Sequence, residues 1–351
     1  MKNSILSDSH EAGKIQTNHS SAFSNNQKPK AILAIGNALV DVLVKLPNNS
    51  IPNELGLEYG GMVMINQDQK NDLQELYREN IFSLSAGGSA GNTIVAIGKL
   101  GAIPSGYIGC VGTGHTAETY KNALVAAGVE PHLLKGTVHT GTATTLITPD
   151  GQRTFGTYLG AAVQLVPELI DRAWLRQYTH IHVEGYLIFN QVLFRSILSM
   201  AKEEGLSIST DVASHNLIME TKDFLIPLLK EYVDILFANE DEASALTGLS
   251  AMNSLRVLAD WCRIAIVKLG ERGSMVQTGD EVYRVRPIPA NCIDSTGAGD
   301  TYAAGFLSAY LQGKSIQECG NLGSYLGAKV VEIYGARLDD EAWKEIRSTI
   351  G

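Results

Sequence analysis

From Lys30 onward, short apolar runs alternate with stretches of helical period. Residues 31–35, 106–111, 180–186, 206–211, 233–238 and 264–269 read as buried strands. Residues 92–100, 116–127, 191–204 and 240–246 lie between several of them and read as amphipathic helices. Such alternation predicts a mostly parallel sheet with helices on both faces. Two regions break the rhythm. Residues 40–46 and 61–65 read as extended pieces with no helix between them. Residues 142–148 and 152–159 flank Pro149-Asp150-Gly151 and read as a β-hairpin. Polar alternation in these strands suits a small sheet with one wet face. We expect a β-lid over the main domain, from segments of about 40–66 and 137–161; a plain extra sheet at the domain edge fits the same pattern.

Residues 1–29 are rich in Ser, Asn, Gln and His and have no apolar core, so the pattern predicts a disordered tail rather than a secretory signal. Residues 30–351 form one domain, with no internal repeat and no clear linker. Composition changes little: the chain is 44% hydrophobic and 19% charged, enough for a real core. The net charge of −9 argues against a nucleic-acid partner. No apolar stretch has the length of a membrane span. Cys110, Cys262, Cys292 and Cys319 are scattered with no C-x-x-C pair, which fits a reduced, cytoplasmic chain.

The most informative chemistry is Asp294-Ser295-Thr296-Gly297-Ala298-Gly299-Asp300, ahead of a helical run at 301–312. A helix N-terminus with unpaired N–H groups attracts anions, and glycine lets the backbone approach a phosphate. Asp300 would repel that phosphate, so it makes sense as a base beside it. The arrangement points to phosphoryl transfer to a hydroxyl. A P-loop is excluded: Gly313-Lys314-Ser315 has Ser308 where the first glycine belongs and follows a helix. No G-x-G-x-x-G run is present, which weakens a dinucleotide reading.

Other candidates each carry a plainer alternative. Gly87-Gly88-Ser89-Ala90-Gly91-Asn92 precedes a helix at 93–100; it is a tight turn, or a close backbone approach with Asn92 offering an amide to a polyhydroxylated ligand. Asp41 follows the first strand, where open α/β sheets bind ligands, and suits vicinal hydroxyls as well as it suits a surface turn. Asn239 and Glu242 start a helix; they complement its dipole, or they hold Mg²⁺ through waters. The 268–273 segment is nucleotide-loop material or a hairpin turn. His180, His182 and Glu184 share one strand face and look like packed residues more than a metal site. Arg153 reads as a solvated arginine or one that reaches a substrate.

In this order the motifs resemble the PfkB (ribokinase-like) family of carbohydrate and nucleoside kinases, over about residues 30–337. The resemblance rests on the Gly-Gly-rich segment 87–100, the Asn239-x-x-Glu242 pair and the run 294–300, in which Ser295 stands where Thr is usual. It implies an α/β ribokinase-like three-layer α/β/α sandwich with a small β-sheet lid. It implies that Asp300 is the base and that Gly297, Ala298, Gly299 and the Asp300 amide form the anion hole. Asn37, Asp41, Gly88 and Asn92 match positions that hold the sugar. Gly270 and Gly273 match the ATP-side loop, and Ser324 a position near the adenine of ATP. Asn239 and Glu242 match the Mg²⁺-linked motif, and Asp294 with the 335–336 loop a region that often binds a monovalent cation such as K⁺. Segments 36–41 and 232–240 look more like adenosine kinases than ribokinases, while 157–162 and 184–187 resemble bacterial nucleoside or sugar kinases. The reading is ATP-dependent phosphorylation of a ribonucleoside, adenosine first. A free-sugar kinase and a non-catalytic binding protein are the alternatives. The resemblance allows either a monomer or a homodimer.

Overall fold

The computed structural model describes residues 29–49, 57, 59, 61–150 and 152–350. The expected tail at 1–28, positions 50–56, 58 and 60 of the first lid segment, and Gly151 of the hairpin turn lie outside the described residues.

The elements in chain order are β1 Ile32–Ile35, β2 Leu39–Lys45, β3 Met62–Met64, α1 Gln67–Leu76, β4 Ile81–Ala86, α2 Ser89–Leu100, β5 Ser105–Val111, α3 His115–Ala126, β6 Val129–Lys135, β7 Thr140–Ile147 and β8 Arg153–Gly160. Then come α4 Arg172–Leu175, β9 His180–Glu184, α5 Gln191–Glu203, β10 Ser207–Asp211, α6 His215–Tyr232, β11 Ile235–Asn239, α7 Glu240–Thr247, α8 Ala251–Ala259 and β12 Ile264–Lys268. The chain ends with β13 Ser274–Thr278, β14 Glu281–Val285, α9 Ala298–Leu311, α10 Ile316–Val330 and α11 Asp340–Ile350.

Nine strands form the main sheet in the order β14-β13-β12-β11-β10-β9-β1-β5-β6. All pair in parallel except the hairpin β12-β13-β14 at one edge. Successive side chains of a strand point to opposite faces, so each buried strand feeds two cores. Ile32 and Ala34 of β1 join one cluster with Ile94 of α2 and Phe306 of α9. Leu33 and Ile35 join the other, with Phe194 of α5 and Leu255 of α8. The result is the three-layer architecture that the alternation implied.

The second sheet has five strands in the order β3-β8-β7-β2-β4. β7 and β8 form the antiparallel hairpin expected from the sequence, and β7 also pairs in parallel with β2. β4 was not anticipated, because two of its apolar residues, Phe82 and Leu84, face solvent at the sheet's edge. Two helix starts also differ from the expectation. α2 begins at Ser89, so Asn92 lies inside its first turn. α9 begins at Ala298, so the motif itself supplies the first turn, with Gly297 as N-cap. Strand β9 ends at Glu184, and residues Gly185–Phe189 turn instead as a 3₁₀ segment.

Candidate active site

The carboxyl ends of β1, β9, β10, β11 and β12 converge on the N-terminal turns of α2 and α9. Asp300 stands in the first turn of α9. Its Oδ1 accepts a hydrogen bond from Ser89 Oγ at 2.7 Å, and its Oδ2 accepts one from Asn92 Nδ2 at 3.0 Å. Burial pushes its pKa up to about 6, against the pull of these two donors. The carboxyl group is thus fixed in place and poised near neutrality, as a general base requires.

Gly297 adopts a φ of +75°, and a Cβ there would meet the Ala336 Cβ at 2.4 Å. Both facts demand glycine. The N–H groups of Gly299 and Asp300 have no acceptor inside the helix, since they belong to its first turn. The Ala298 N–H donates to the Ser295 carbonyl at 3.2 Å, so the anion-attracting donors lie one step further into α9 than Ala298.

A cavity of about 180 Å³ lies between the two sheets. Asn37, Asp41, Gly88 and Asn92, which the family resemblance grouped as sugar-holding positions, all line it, together with Ser89, Glu184 and Thr296. Gly88, at φ +76°, passes so close to Asn37 that a Cβ would stand 2.3 Å from the Asn37 carbonyl. Asn37 Nδ2 donates to Glu184 Oε1 at 2.7 Å, and Ala90 N–H donates to Glu184 Oε2 at 3.1 Å. Burial raises the pKa of Glu184 to about 7. Asp41 is raised to about 7 by burial, against the opposing charge of Arg337 and with the like charge of Asp300. Much of the remaining lining is apolar: Met62, Met64, Phe155 and Leu159 of the small sheet, and Tyr186 and Phe189 after β9.

A second polar group lies beside the α9 turn. Lys268 Nζ is 2.6 Å from Asp211 Oδ2. A Cβ on Gly299 would meet the same ammonium at 2.9 Å, so Lys268 is the cation next to the anion-attracting turn. Burial works against its charge, but Asp211 and Glu242 outweigh that and lift its pKa above the ordinary lysine value. Asn239 pairs in register with Lys268. Asn239 and Glu242 form a capping box: the Glu242 N–H donates to Asn239 Oδ1 at 2.8 Å, and the Asn239 N–H donates to Glu242 Oε2 at 2.7 Å. Asn239 Nδ2 also donates to Glu242 Oε1 at 2.7 Å. Burial and the neighbouring Asp211 raise the Glu242 pKa. Among the described residues no cluster of three or more His, Cys, Asp or Glu has the geometry of a metal site.

The remaining candidates lie around these groups. Gly270 and Gly273 bound the turn of the β12-β13 hairpin, at φ +60° and +86°. Ser324 is half-buried in α10, one turn before Gly327, which approaches the Ala298 carbonyl. Asp294 is 1% exposed, and its carboxylate is engaged. It accepts from Thr296 N–H at 2.7 Å and Gly335 N–H at 2.8 Å and pairs with Arg153 Nε at 3.2 Å. Asp294 therefore shapes the loop that presents the α9 turn. Arg153, from β8 of the small sheet, reaches this loop rather than solvent. His180 and His182 are bonded to Ser207 and Ser209 of β10.

Sequence reasoning singled out Asp300, Asp41, Asn37 and Asn92 but gave no role to Asp211, Ser89 or Arg337, and noted Lys268 only as the start of the 268–273 segment. Lys268 and Asp211 end β12 and β10. The rule that drew attention to Asp41, a ligand beyond the carboxyl ends of strands, applies equally to them.

The model of the pfkB family carbohydrate kinases matches residues 59–343. The chain belongs to the pfkB carbohydrate kinase family. This kinase is 32% identical to the solved adenosine kinase of Sinorhizobium meliloti, with a TM-score of 0.81 over 91% of this chain and 99% of that one. Among curated proteins it is 28% identical over 253 residues to an uncharacterized sugar kinase of Archaeoglobus fulgidus, covering 69% of this chain and 97% of that protein. It is 29% identical over 265 residues to a nucleoside kinase of Methanocaldococcus jannaschii, covering 74% and 83%. The ribokinase-like fold and the kinase class expected from the motifs are borne out. Family membership implies ATP use and a small-molecule acceptor. No helix among the described residues is long and apolar enough to cross a membrane.

Proposed function

We propose that this kinase transfers the γ-phosphoryl group of ATP to the primary hydroxyl of a ribonucleoside, adenosine first. One observation carries the choice of a nucleoside over a free sugar: the mixed lining of the cavity. Asn37, Asp41 and Asn92 are there for ribose hydroxyls. Phe155, Tyr186, Phe189 and two methionines give the same cavity an apolar surface on which a planar base can lie. A free sugar would leave that apolar surface facing water.

In this reading Asp41 accepts hydrogen bonds from the ribose hydroxyls; none of the hydrogen bonds described involves its carboxylate. Asp300 takes the proton of the 5′-hydroxyl, which then attacks the γ-phosphorus in line. Gly299 and Asp300 N–H groups and the Lys268 ammonium meet the charge on the transferring group, where a fixed cation acts most strongly. Gly270 and Gly273 keep the β12-β13 turn low enough for ATP to lie along the sheet edge, with Ser324 toward the adenine. Magnesium would supply charge neutralisation on the phosphates, held through water by the acids beside Lys268, Asp211 and Glu242. Asn239 then orients Glu242 rather than serving as a ligand. Asp294 is already satisfied by two amides and Arg153, so its carboxylate does not fit a potassium site and no step is assigned to one. The small sheet, as a lid, keeps water from the γ-phosphate.

The test is ADP release with ATP–Mg²⁺ and adenosine, inosine, ribose or fructose as acceptor. Turnover of the nucleosides, with adenosine leading, is the expected result. Turnover of the sugars alone would reject the nucleoside reading. Tight nucleotide binding with no transfer to any acceptor would reject catalysis.

A further inference from the structure

Arg153 has no step in the mechanism above, yet it joins the two sides of the site. Phe155, Thr157 and Leu159 of β8 line the substrate cavity, and Arg153 follows the same alternation onto the same strand face. Its guanidinium crosses from the small sheet to the loop ahead of α9. Nη2 donates to the Ile293 carbonyl at 2.9 Å, and Nε stands 3.2 Å from Asp294 Oδ1.

Asp294 ties that loop together. Its Oδ1 accepts from Thr296 N–H at 2.7 Å, and its Oδ2 accepts from Gly335 N–H at 2.8 Å. Thr296 lines the cavity, and the next residue, Gly297, is the N-cap of α9 and packs against Ala336. One carboxylate thus fixes both loops that present the anion-attracting turn. Lys45 of β2 touches the second loop as well, with Nζ 5.4 Å from the centre of the Tyr334 ring. The small sheet therefore grips both.

A carboxylate that is 1% exposed needs a cation beside it. Among the described residues, Arg153 is the cation paired with Asp294. A carboxylate oxygen and a backbone carbonyl oxygen are also ligands that an alkali cation takes. The guanidinium fork reaches both at once, and its charge does not depend on the salt in solution.

We propose that Arg153 is a positioning residue that stands in for a monovalent cation: carried by the strand that lines the acceptor cavity, it fixes the 293–296 loop and with it the α9 turn, so that this kinase needs no K⁺. The proposal rests on the reading that the α9 turn meets the phosphates of ATP. Arg153 lies outside the cavity lining and acts through Asp294.

The experiment uses the full chain in KCl and in tetramethylammonium chloride at equal ionic strength. Two quantities are read. One is the dissociation constant of a non-hydrolysable ATP analogue with Mg²⁺, by calorimetry and without acceptor. The other is deuterium exchange of the peptides that cover 293–300 and 335–336. Wild type is expected to give the same values in both salts. Arg153→Met should bind the analogue about tenfold more weakly in tetramethylammonium, and K⁺ should recover most of the loss. Its faster exchange should be confined to the two loops and should slow again in K⁺. A general loss of structure would instead raise exchange along the whole chain and show no preference between the salts. K⁺-dependent binding or exchange in wild type would overturn the proposal. So would an Arg153→Met variant that behaves as wild type, or one that loses equally in both salts. If Arg153→Met folds in K⁺ alone, the proposal stands; if it folds in neither salt, the arginine is structural and the proposal falls. If wild type does not bind the analogue, the ATP-side reading falls, and the exchange comparison still judges Arg153.

Discussion

One strand, β9, carries two different kinds of buried titratable group on a single face. His180, His182 and Glu184 alternate along it and stand opposite Ser207, Ser209 and Asp211 of β10. In the sheet interior the pairs are neutral. His180 bonds Ser207 at 2.6 Å and Ser209 at 2.8 Å, and His182 bonds Ser209 at 2.9 Å. Burial holds the histidines down at about 3 and about 4, so both stay uncharged. At the sheet edge the facing pair becomes two acids, and Lys268, Asn37 and the α9 turn gather around them. The lesson is that burial alone does not mark a functional group. The same low-dielectric environment gives a silent row of side chains where every charge can be avoided, and a reactive site where the chain has placed charges that cannot all be neutralised.

The largest effect should come from the reactive end. Asp300→Asn keeps the size of the side chain but removes the proposed base and one of its two acceptors, and kcat should fall roughly 10²–10⁴-fold with little change in thermal midpoint. A variant with near-normal turnover on the best acceptor would remove Asp300 from the chemistry. Lys268→Met comes next. Turnover should drop about 10²-fold, and the midpoint should fall as well, because Asp211 is left without its partner. Lys268→Met with Asp211→Leu should recover much of the stability and none of the rate. Recovery of both would make the pair structural, like the histidine row.

Sequence patterns gave up the two regions unequally, for physical reasons. Parallel strands buried on both faces are nearly continuous apolar runs, so 106–111 and 264–269 stand out in sequence close to β5 and β12. Edge strands lose that signal: β4 turns Phe82 and Leu84 outward, and most of β14 is exposed. α6 contains Pro227, which interrupts the helical pattern. Gly297, Asp300, Gly88 and Asn92 were legible because their chemistry is local, a glycine turn opening a helix. Lys268 and Asp211 meet across 57 residues, and Arg337 meets the α2 turn across 246, so no local pattern holds them. Asn239 and Glu242 were legible as a pair but not as a role, since a capping box and a magnesium-linked motif can share one spacing.

A pH profile of catalysis sharpens the same comparison. As the proposed base, Asp300 must be ionised to accept a proton, and burial lifts its pKa to about 6. Activity is therefore present above that value and lost as pH falls through it, by about tenfold per unit. A flat kcat/KM between about pH 5 and 7 would separate the rate from Asp300.

Stability should respond to pH with opposite signs at the two ends of β9. Glu184, joined by Asp41 of β2 on the same cavity, is raised to about 7; both bind more protons folded than unfolded, so their contribution declines as pH rises from the ordinary carboxylate range through 7. The histidines are depressed to about 3 and about 4, so they bind fewer protons folded than unfolded. Their contribution is complete above the ordinary histidine value and is lost as pH falls below it, by up to about 1.4 kcal/mol per unit for each ring. The double variant His180→Gln, His182→Gln should abolish that acid-side slope in thermal midpoint measured between about pH 6.5 and 4.5. Its kcat near neutral pH should stay within about twofold of wild type, since neither ring touches the cavity. A large loss of turnover with an unchanged slope would reverse the assignment and make the row part of the chemistry.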